Sequence, residues 1–274
     1  MRSLIDITEL SCAEIDALID RALDIIQNPA RYADACRGKK LATLFYEPST
    51  RTRLSFEAAM LELGGQVLGF SEASSSSAAK GESIADTARV VSGYADIIAM
   101  RHPKEGAPKV ASMYADVPVI NAGDGGHNHP TQTLADLLTV RRELGRLDHL
   151  TIGCCGDLKF GRTVHSLIAA MGRYPGVRFV LISPEELTVP EHVRADLLER
   201  RGLDWRETRS LDESIGELDV LRQIPSGGSF PRDFDFTPDG ELLIANQNGG
   251  GVVCEGRDAL PIAGAVSICL PHTL

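Results

Sequence analysis

The segment FYEPSTRTRLSFEAAMLELGG, Phe45 to Gly65, gathers two arginines and four hydroxyl side chains around the start of a predicted helix. A helix start carries unpaired backbone N–H groups and a partial positive charge. Serine or threonine there commonly serves as an N-cap, and Ser49 or Thr50 alone would need no other role. Arg51 and Arg53 do not fit that account, because cations in the first turn oppose the helix dipole. An arriving anion removes the conflict, since N–H groups, hydroxyls and a guanidinium can converge on phosphate oxygens. Arg53 has a second reading, an ion pair with Glu57 one turn on. Arg101, in AMRHP, falls at a predicted strand end, where charged residues of parallel sheets commonly face the ligand crevice. Arg162 sits at another helix start, in KFGRTVHS.

The elements that must position these groups are readable from periodicity. Pro48 holds Glu47 extended, so the chain enters the first helix from a strand through a tight bend. Leu54, Ala58 and Leu61, with Phe56, Met60 and Leu63, predict a buried helix face, and Gly64-Gly65 predict its stop. Residues 1–35 predict helix, with Ile15, Leu18, Ile19, Ala22, Leu23 and Ile26 on one stripe. KKLATLFYE, QVLGF, DIIAMRH and VPVINAG predict strands, and IADTARVVSGYA and PKVASMYA predict helices. The serine-rich SEASSSSAAKGES reads by composition as a polar loop. A long helix from about His129 to Leu144, entered through GDGGHNH, joins this half to a second α/β run. That run comprises LTIGCCGD, GRTVHSLIAAMGRY, VRFVLIS, PEHVRADLLERRG and LDVL. Strands alternating with helices predict the α/β class with two parallel-sheet domains, residues 1–144 and 145–221. From Arg222 the chain turns rich in Gly, Pro and Asp, which marks 222–274 as an atypical β-rich tail. Within it FDFTPDGELLIAN predicts a hairpin, Phe234 and Phe236 facing Leu242 and Ile244 across a Pro238-Asp239-Gly240 turn.

Bulk properties narrow the function classes. At 274 residues the chain can bury a sizeable core, and 43% hydrophobic with 24% charged residues is a globular mix. A net charge of -10 argues against nucleic acid or an anionic membrane as the main partner, while leaving room for a local anion site. The first twenty residues carry five acidic residues, which does not suit a secretory signal, and no long apolar window occurs later. The six cysteines form no CxxC pair and read as buried free thiols of a reducing cytosol, with no metal site indicated.

FYEPSTRTRLSFE resembles the carbamoyl-phosphate signature of the aspartate and ornithine carbamoyltransferases. KGESIADT, MRHP, NAGDGGHNHPTQTLADL and GDLKFGRTVHSL continue that resemblance, on the aspartate side of the family, to about Leu221. The ornithine branch shares Ser-Thr-Arg-Thr-Arg but not the Lys80-Gly81-Glu82 arrangement, and its Ser-Met-Gly and His-Cys-Leu-Pro elements are absent here. The implied reaction is attack of the L-aspartate amine on the carbonyl carbon of carbamoyl phosphate, giving N-carbamoyl-L-aspartate and phosphate without a cofactor. The resemblance implies that Ser49, Thr50, Arg51 and Thr52 bind the phosphate, with Thr52 and Arg101 also reaching the carbonyl oxygen. It implies that His129 stabilises the developing oxyanion, that Gln132 binds the carbamoyl NH2, and that Arg162 holds the α-carboxylate of aspartate. His127 lacks the following Pro-Thr-Gln, His165 reads as a helix-packing residue, and Asp157 and Lys159 read as loop-shaping. In the family the serine-rich loop enters the neighbouring subunit's active site. Ser76, by counting back within Ser74–Ser77, and Lys80 match its contributing positions, which implies a cytoplasmic homotrimer with shared sites. Any regulatory or companion chain would be a separate polypeptide.

After ELDVL the family pattern stops. Its Arg-x-Gln segment for the aspartate side chain, its His-Pro-Leu-Pro turn and its last long helix have no counterpart in the tail. GSFPRDFDFTPDGELLIANQNGG is instead similar to one blade of the lactonase-type β-propellers, and a lone blade cannot close a ring. The chain therefore reads as a fusion or a mis-joined pair of genes. Its expected function is aspartate carbamoyl transfer, or carbamoyl-phosphate binding by an impaired remnant.

Overall fold

A computed structural model describes residues 2–210 and five strands between Ser229 and Cys269. The chain divides into two compact units, Met1–Asp219 and Val220–Leu274.

In the first unit, β1 (Lys40–Phe45), β2 (Gln66–Phe70), β3 (Ile97–His102) and β4 (Val119–Asp124) form a parallel sheet in the order β2-β1-β3-β4. Between them run α3 (Thr50–Glu62), α4 (Ile84–Ser92) and α5 (Ala107–Tyr114). The strand order reverses direction at β1, so the carboxyl ends of β1 and β3 flank the switch point at which α/β sheets bind ligands. β1 and β3 are almost wholly buried, as strands covered by helices on both faces must be. A second parallel sheet, in the order β5-β6-β7, contains β5 (Thr151–Cys155), β6 (Arg178–Ile182) and β7 (Asp204–Thr208).

The long helix α6 (Pro130–Leu144) runs from the end of β4 toward the second sheet, and Leu137 is buried in a core with Ile168 and Phe179. Ile15 and Ile19 of α1 (Cys12–Gln27) join that same core. A Ser11–Glu14 capping box starts α1, and Arg173 closes the contact by donating to the carbonyls of Ile7 and Leu10. The first sheet has its own core around Leu44, Ile98, Met100 and Val119. No helix among the described residues is long and apolar enough to cross a membrane.

Several expectations are corrected. Residues before Ser11 form a bridge and a short 3-10 turn rather than helix, and Leu18 and Ile26 of the predicted stripe are exposed. In α3 the buried face is the other one: Met60 is buried, Phe56 half-buried, and Leu54, Ala58 and Leu61 point outward. Both faces of α3 carry apolar residues, so spacing alone could not choose between them. Of the described cysteines only Cys154 is buried, its thiol pushed up to about 11 by burial, while Cys155 on the opposite face of the strand is exposed. β7 has no counterpart in the sequence-based assignment, because DWRET alternates weakly between half-exposed positions and is a sheet edge. The PEHVRADLLERRG helix is a short turn, α8 (Glu191–Val193), that widens into a π-helix over Arg194–Glu199. The predicted LDVL strand lies outside the described residues.

In the second unit, β8 (Ser229–Phe236) and β9 (Leu242–Asn248) pair antiparallel with Phe236 opposite Leu242 and Phe234 opposite Ile244. This is the register expected from sequence; the Pro238-Asp239-Gly240 turn lies outside the described residues. β12 (Val266–Cys269) adds to β9, and β10 (Gly250–Cys254) pairs with β11 (Arg257–Ile262).

Candidate functional site

The site is built from the loops at the carboxyl ends of the parallel strands. β1 runs into Glu47-Pro48 and then the start of α3, where Ser49 occupies the N-cap position without making a side-chain capping bond. Its hydroxyl pairs with that of Thr52 at 3.1 Å instead. The first-turn N–H groups are thus left uncapped by Ser49 at a helix whose first turn holds no acid. Arg51 is exposed and makes no side-chain hydrogen bond or ion pair among the described residues. Arg53 does pair with Glu57, at 2.7 Å, and Glu57 also accepts from Thr43, so Arg53 is a brace rather than a ligand group. A cavity of about 340 Å³ opens against Ser49, Thr50 and Ser71.

Arg101 is the penultimate residue of β3 and is only 9% exposed. Its Nη2 donates to Glu47 at 3.2 Å and its Nη1 to the carbonyl of Ala122 at 3.4 Å, while its buried Nε has no partner among the described residues. Glu47 thereby ties the α3 start to the β3 end. Gly123, with φ +118°, lies between Arg101 and His129. A Cβ there would stand 3.0 Å from Arg101 Nη1 and 3.5 Å from the His129 ring.

His129 is buried at the N-cap of α6, with Pro130 at the first helical position. Burial pushes its imidazole down to about 4, and the charges of Arg162 and Arg101 push the same way. It is therefore neutral near pH 7 and can donate one N–H to an oxygen that gains charge. Arg162 opens α7 (Arg162–Met171) and donates to the carbonyl of Gly125 in the loop that precedes His129. Burial and the neighbouring Arg101 lower its affinity for its proton, and Glu47 and Asp124 oppose them. Arg101, His129 and Arg162 thus share one electropositive crevice.

The remaining predicted residues lie apart from this trio. Gln132 is exposed and donates to Asp136 at 2.9 Å. Ser76 donates to the carbonyl of Ala73 at 2.9 Å, and Lys80 is exposed at the end of a 3-10 turn spanning Ser77–Lys80. His127 faces Asp124 at 3.3 Å, and His165 faces the Leu158 carbonyl at 2.7 Å. Asp157 accepts from the N–H groups of Lys159 and Phe160 and so shapes that loop. A cavity of about 560 Å³ beside His127, Lys159, His165 and His192 contains none of the predicted ligand groups. The convergence of three cationic or imidazole side chains marks the chemistry better than cavity size.

Two acids escape a reading of the sequence alone. Glu47 and Asp124 lie just after or at the end of a parallel strand, and that placement is the signal that could have found them.

The chain is similar to known proteins over most of its length. Residues 2–142 match the family described as aspartate/ornithine carbamoyltransferase, carbamoyl-P binding domain. The aspartate carbamoyltransferase catalytic subunit of Lachnoclostridium phytofermentans is 65% identical over 221 residues, covering 81% of this chain and 72% of that protein. That of Clostridium acetobutylicum is 64% identical over 220 residues, covering 80% and 72%. The catalytic subunit of M. jannaschii aspartate transcarbamoylase superposes with a TM-score of 0.73 at 50% identity, covering 78% of this chain and 70% of that one. Aspartate transcarbamoylase from Trypanosoma cruzi, solved with N-(phosphonacetyl)-L-aspartic acid, gives 0.71 at 38% identity, covering 77% and 69%. Residues 201–259 give a shorter match to the family described as lactonase, 7-bladed beta-propeller, which overlaps β7 of the α/β unit. The chain belongs to the aspartate/ornithine carbamoyltransferase family, whose members are enzymes.

Proposed function

We propose that the Met1–Asp219 unit binds carbamoyl phosphate and transfers its carbamoyl group to the amine of L-aspartate, as a step of pyrimidine biosynthesis in the cytoplasm. The observation that carries this reading is the crevice between the ends of β1, β3 and β4, where Arg101, His129 and Arg162 converge beside an uncapped helix start. Ser49, Thr50, Arg51 and Thr52 hold the phosphate, using the N–H groups at the start of α3. Arg101 spans phosphate and carbonyl oxygen. Neutral His129 donates a hydrogen bond to the same oxygen as the amine attacks and negative charge builds there. Gln132 turns from Asp136 to hold the carbamoyl NH2, and Arg162 receives the α-carboxylate. Bond making needs no cofactor, because the C–O bond to phosphate breaks as the C–N bond forms, and the departing phosphate takes the proton that the attacking amine loses. Relatives solved with carbamoyl phosphate and aspartate support the substrate pair.

Residues 1–144 are proposed as the carbamoyl-phosphate domain, 145–221 as a partial aspartate domain and 222–274 as the foreign tail. A homotrimer is part of the proposal, with Ser76 and Lys80 delivered to the neighbour's crevice. The outward apolar row Leu54, Ala58 and Leu61 supports it, as does the exposed Lys80, which has no ion pair among the described residues. A second reading, a carbamoyl-phosphate-binding remnant, is favoured by the change of unit at Asp219, before any second aspartate-binding arginine. Turnover of labelled carbamoyl phosphate with aspartate separates the two. Carbamoyl aspartate formation supports the first, and analogue binding without product supports the second.

A further inference from the structure

We propose that Asp124 is a positioning residue: its buried carboxylate staples the loop after β3 to the loop carrying His129, and so sets both His129 and Arg162. This rests on the carbamoyl-transfer reading of the same crevice.

Asp124 ends β4 and is 1% exposed. Its Oδ1 accepts from the backbone N–H of Asn128 at 2.8 Å and from Asn121 Nδ2 at 3.0 Å. Its Oδ2 accepts from the N–H of Gly106 at 2.9 Å and faces His127 Nδ1 at 3.3 Å. Gly106 belongs to the loop after β3 and adopts φ +75° just before α5. The other three partners come from the end of β4 and the loop behind it. The backbone of Asp124 also exchanges with this loop, donating to Asn128 at 3.2 Å and accepting from His127 at 3.1 Å.

That loop is short, and both of its functional outlets are fixed by the staple. Asn128 directly precedes His129. Gly125 offers the carbonyl that Arg162 grips, and its own N–H is held by the His102 carbonyl at 2.9 Å. An ordinary loop cap would satisfy one or two N–H groups. Here three N–H donors converge on one side chain with the His127 ring beside them, close to filling the four acceptor positions of a carboxylate. An asparagine fills the same space but turns an NH2 toward N–H donors. The negative charge also offsets the positive charge of the neighbouring arginines, which an amide cannot do.

The test is Asp124→Asn, read by imidazole NMR titration of His129 together with calorimetric binding of a carbamoyl phosphonate and thermal unfolding. The expected result is a cooperatively folded protein whose phosphonate affinity falls by no more than about tenfold, because the α3 start and Arg101 are kept and only the His129 hydrogen bond is disturbed. Loss of the Asp124 charge alone would lower the His129 titration further, so the expected rise from about 4 toward the ordinary 6.5 reports that the loop has loosened and His129 has left its dry position. His127→Ala removes one partner from a half-exposed side chain and should move His129 the same way by less. If turnover is present, kcat should fall on the order of 100-fold, as for a misplaced catalytic group. An unmoved His129 titration in both variants overturns the proposal. So does loss of folding or phosphonate binding in step with the His129 change, because Asp124 would then be general scaffolding. Failure of the wild-type protein to bind the phosphonate would sink the carbamoyl-transfer reading instead, and leaves the His129 readout intact.

Discussion

Arg51 and His129 set the residue scale, since one is exposed at a helix start and the other buried at a loop end. An exposed arginine beside uncapped N–H groups has its full hydrogen-bonding capacity available to a phosphate. Arg51→Ala should weaken carbamoyl phosphonate binding by on the order of 2–5 kcal/mol, the range for truncating one partner of a charge-assisted pair. Calorimetric titration decides it, and unchanged affinity would refute the anion site at the start of α3. His129 predicts a pH effect whose sign comes from its depressed titration. Between about 6.5 and 4 the unfolded chain binds a proton at this imidazole while the folded chain does not, so folding stability is lost as pH falls through that window. The loss is at most roughly 3 kcal/mol and levels off below the folded value. Urea unfolding at pH 7 and pH 4.5 should show a difference that shrinks in His129→Ala, and an undiminished difference would place the acid lability elsewhere. Arg51, Arg101, His129 and Arg162 were legible because motifs place them on the chain. Glu47 and Asp124 were not, because an acid in a strand-end loop declares its role only once the arginines it faces are in place.

The elements show where local pattern suffices and where it fails. β1 and β3 were clear because continuous apolar runs bounded by charged residues fit only a covered parallel strand. The face of α3 was not, because the helix carries Leu54, Ala58 and Leu61 on one side and Phe56, Met60 and Leu63 on the other. The sheet takes the side that includes Met60, and the other side remains outward. An exposed row of this kind costs the lone chain little, so Leu61→Glu should leave the unfolding free energy within about 0.5 kcal/mol. It should nevertheless move the sedimentation coefficient from trimer toward monomer, and a trimer that persists would remove α3 from the proposed interface. The shared-site idea has a separate check. Mixing Lys80→Ala chains with Arg51→Ala chains should regenerate some intact sites, with more activity or analogue binding than either variant alone. No complementation in mixed assemblies would mean that Lys80 acts within its own chain or not at all.

For the whole molecule, the change of compact unit after Asp219 bears on which of the two proposed substrates keeps its contacts. Sequence composition and periodicity change near Arg222, from βα alternation to short Gly- and Pro-rich β segments, which is the signal on which the expected boundary rests. Periodicity could not reveal that α1 packs into the core of the second sheet, because that contact links residues far apart in the chain, such as Asp16 and Tyr174. α1, α6 and α7 share one core, and Arg101, His129 and Arg162 are all carried by elements of the first unit. In the proposed reading carbamoyl phosphate is held by the start of α3 and by Arg101, both in this unit, and should bind without help from the tail. Aspartate is different, because it brings two carboxylates and, in the proposed reading, Arg162 answers one. The second arginine that the family places after this point has no counterpart in the tail sequence. A missing charge-assisted hydrogen bond weakens binding by roughly 1.5–3 kcal/mol, or about 10- to 150-fold. Calorimetry should thus find carbamoyl phosphonate binding ahead of succinate, an aspartate analogue, by at least about tenfold, and turnover should be weak or absent. Rapid formation of carbamoyl aspartate by this 274-residue chain, with its mass confirming the tail, would mean that residues after Asp219 supply the lost carboxylate site.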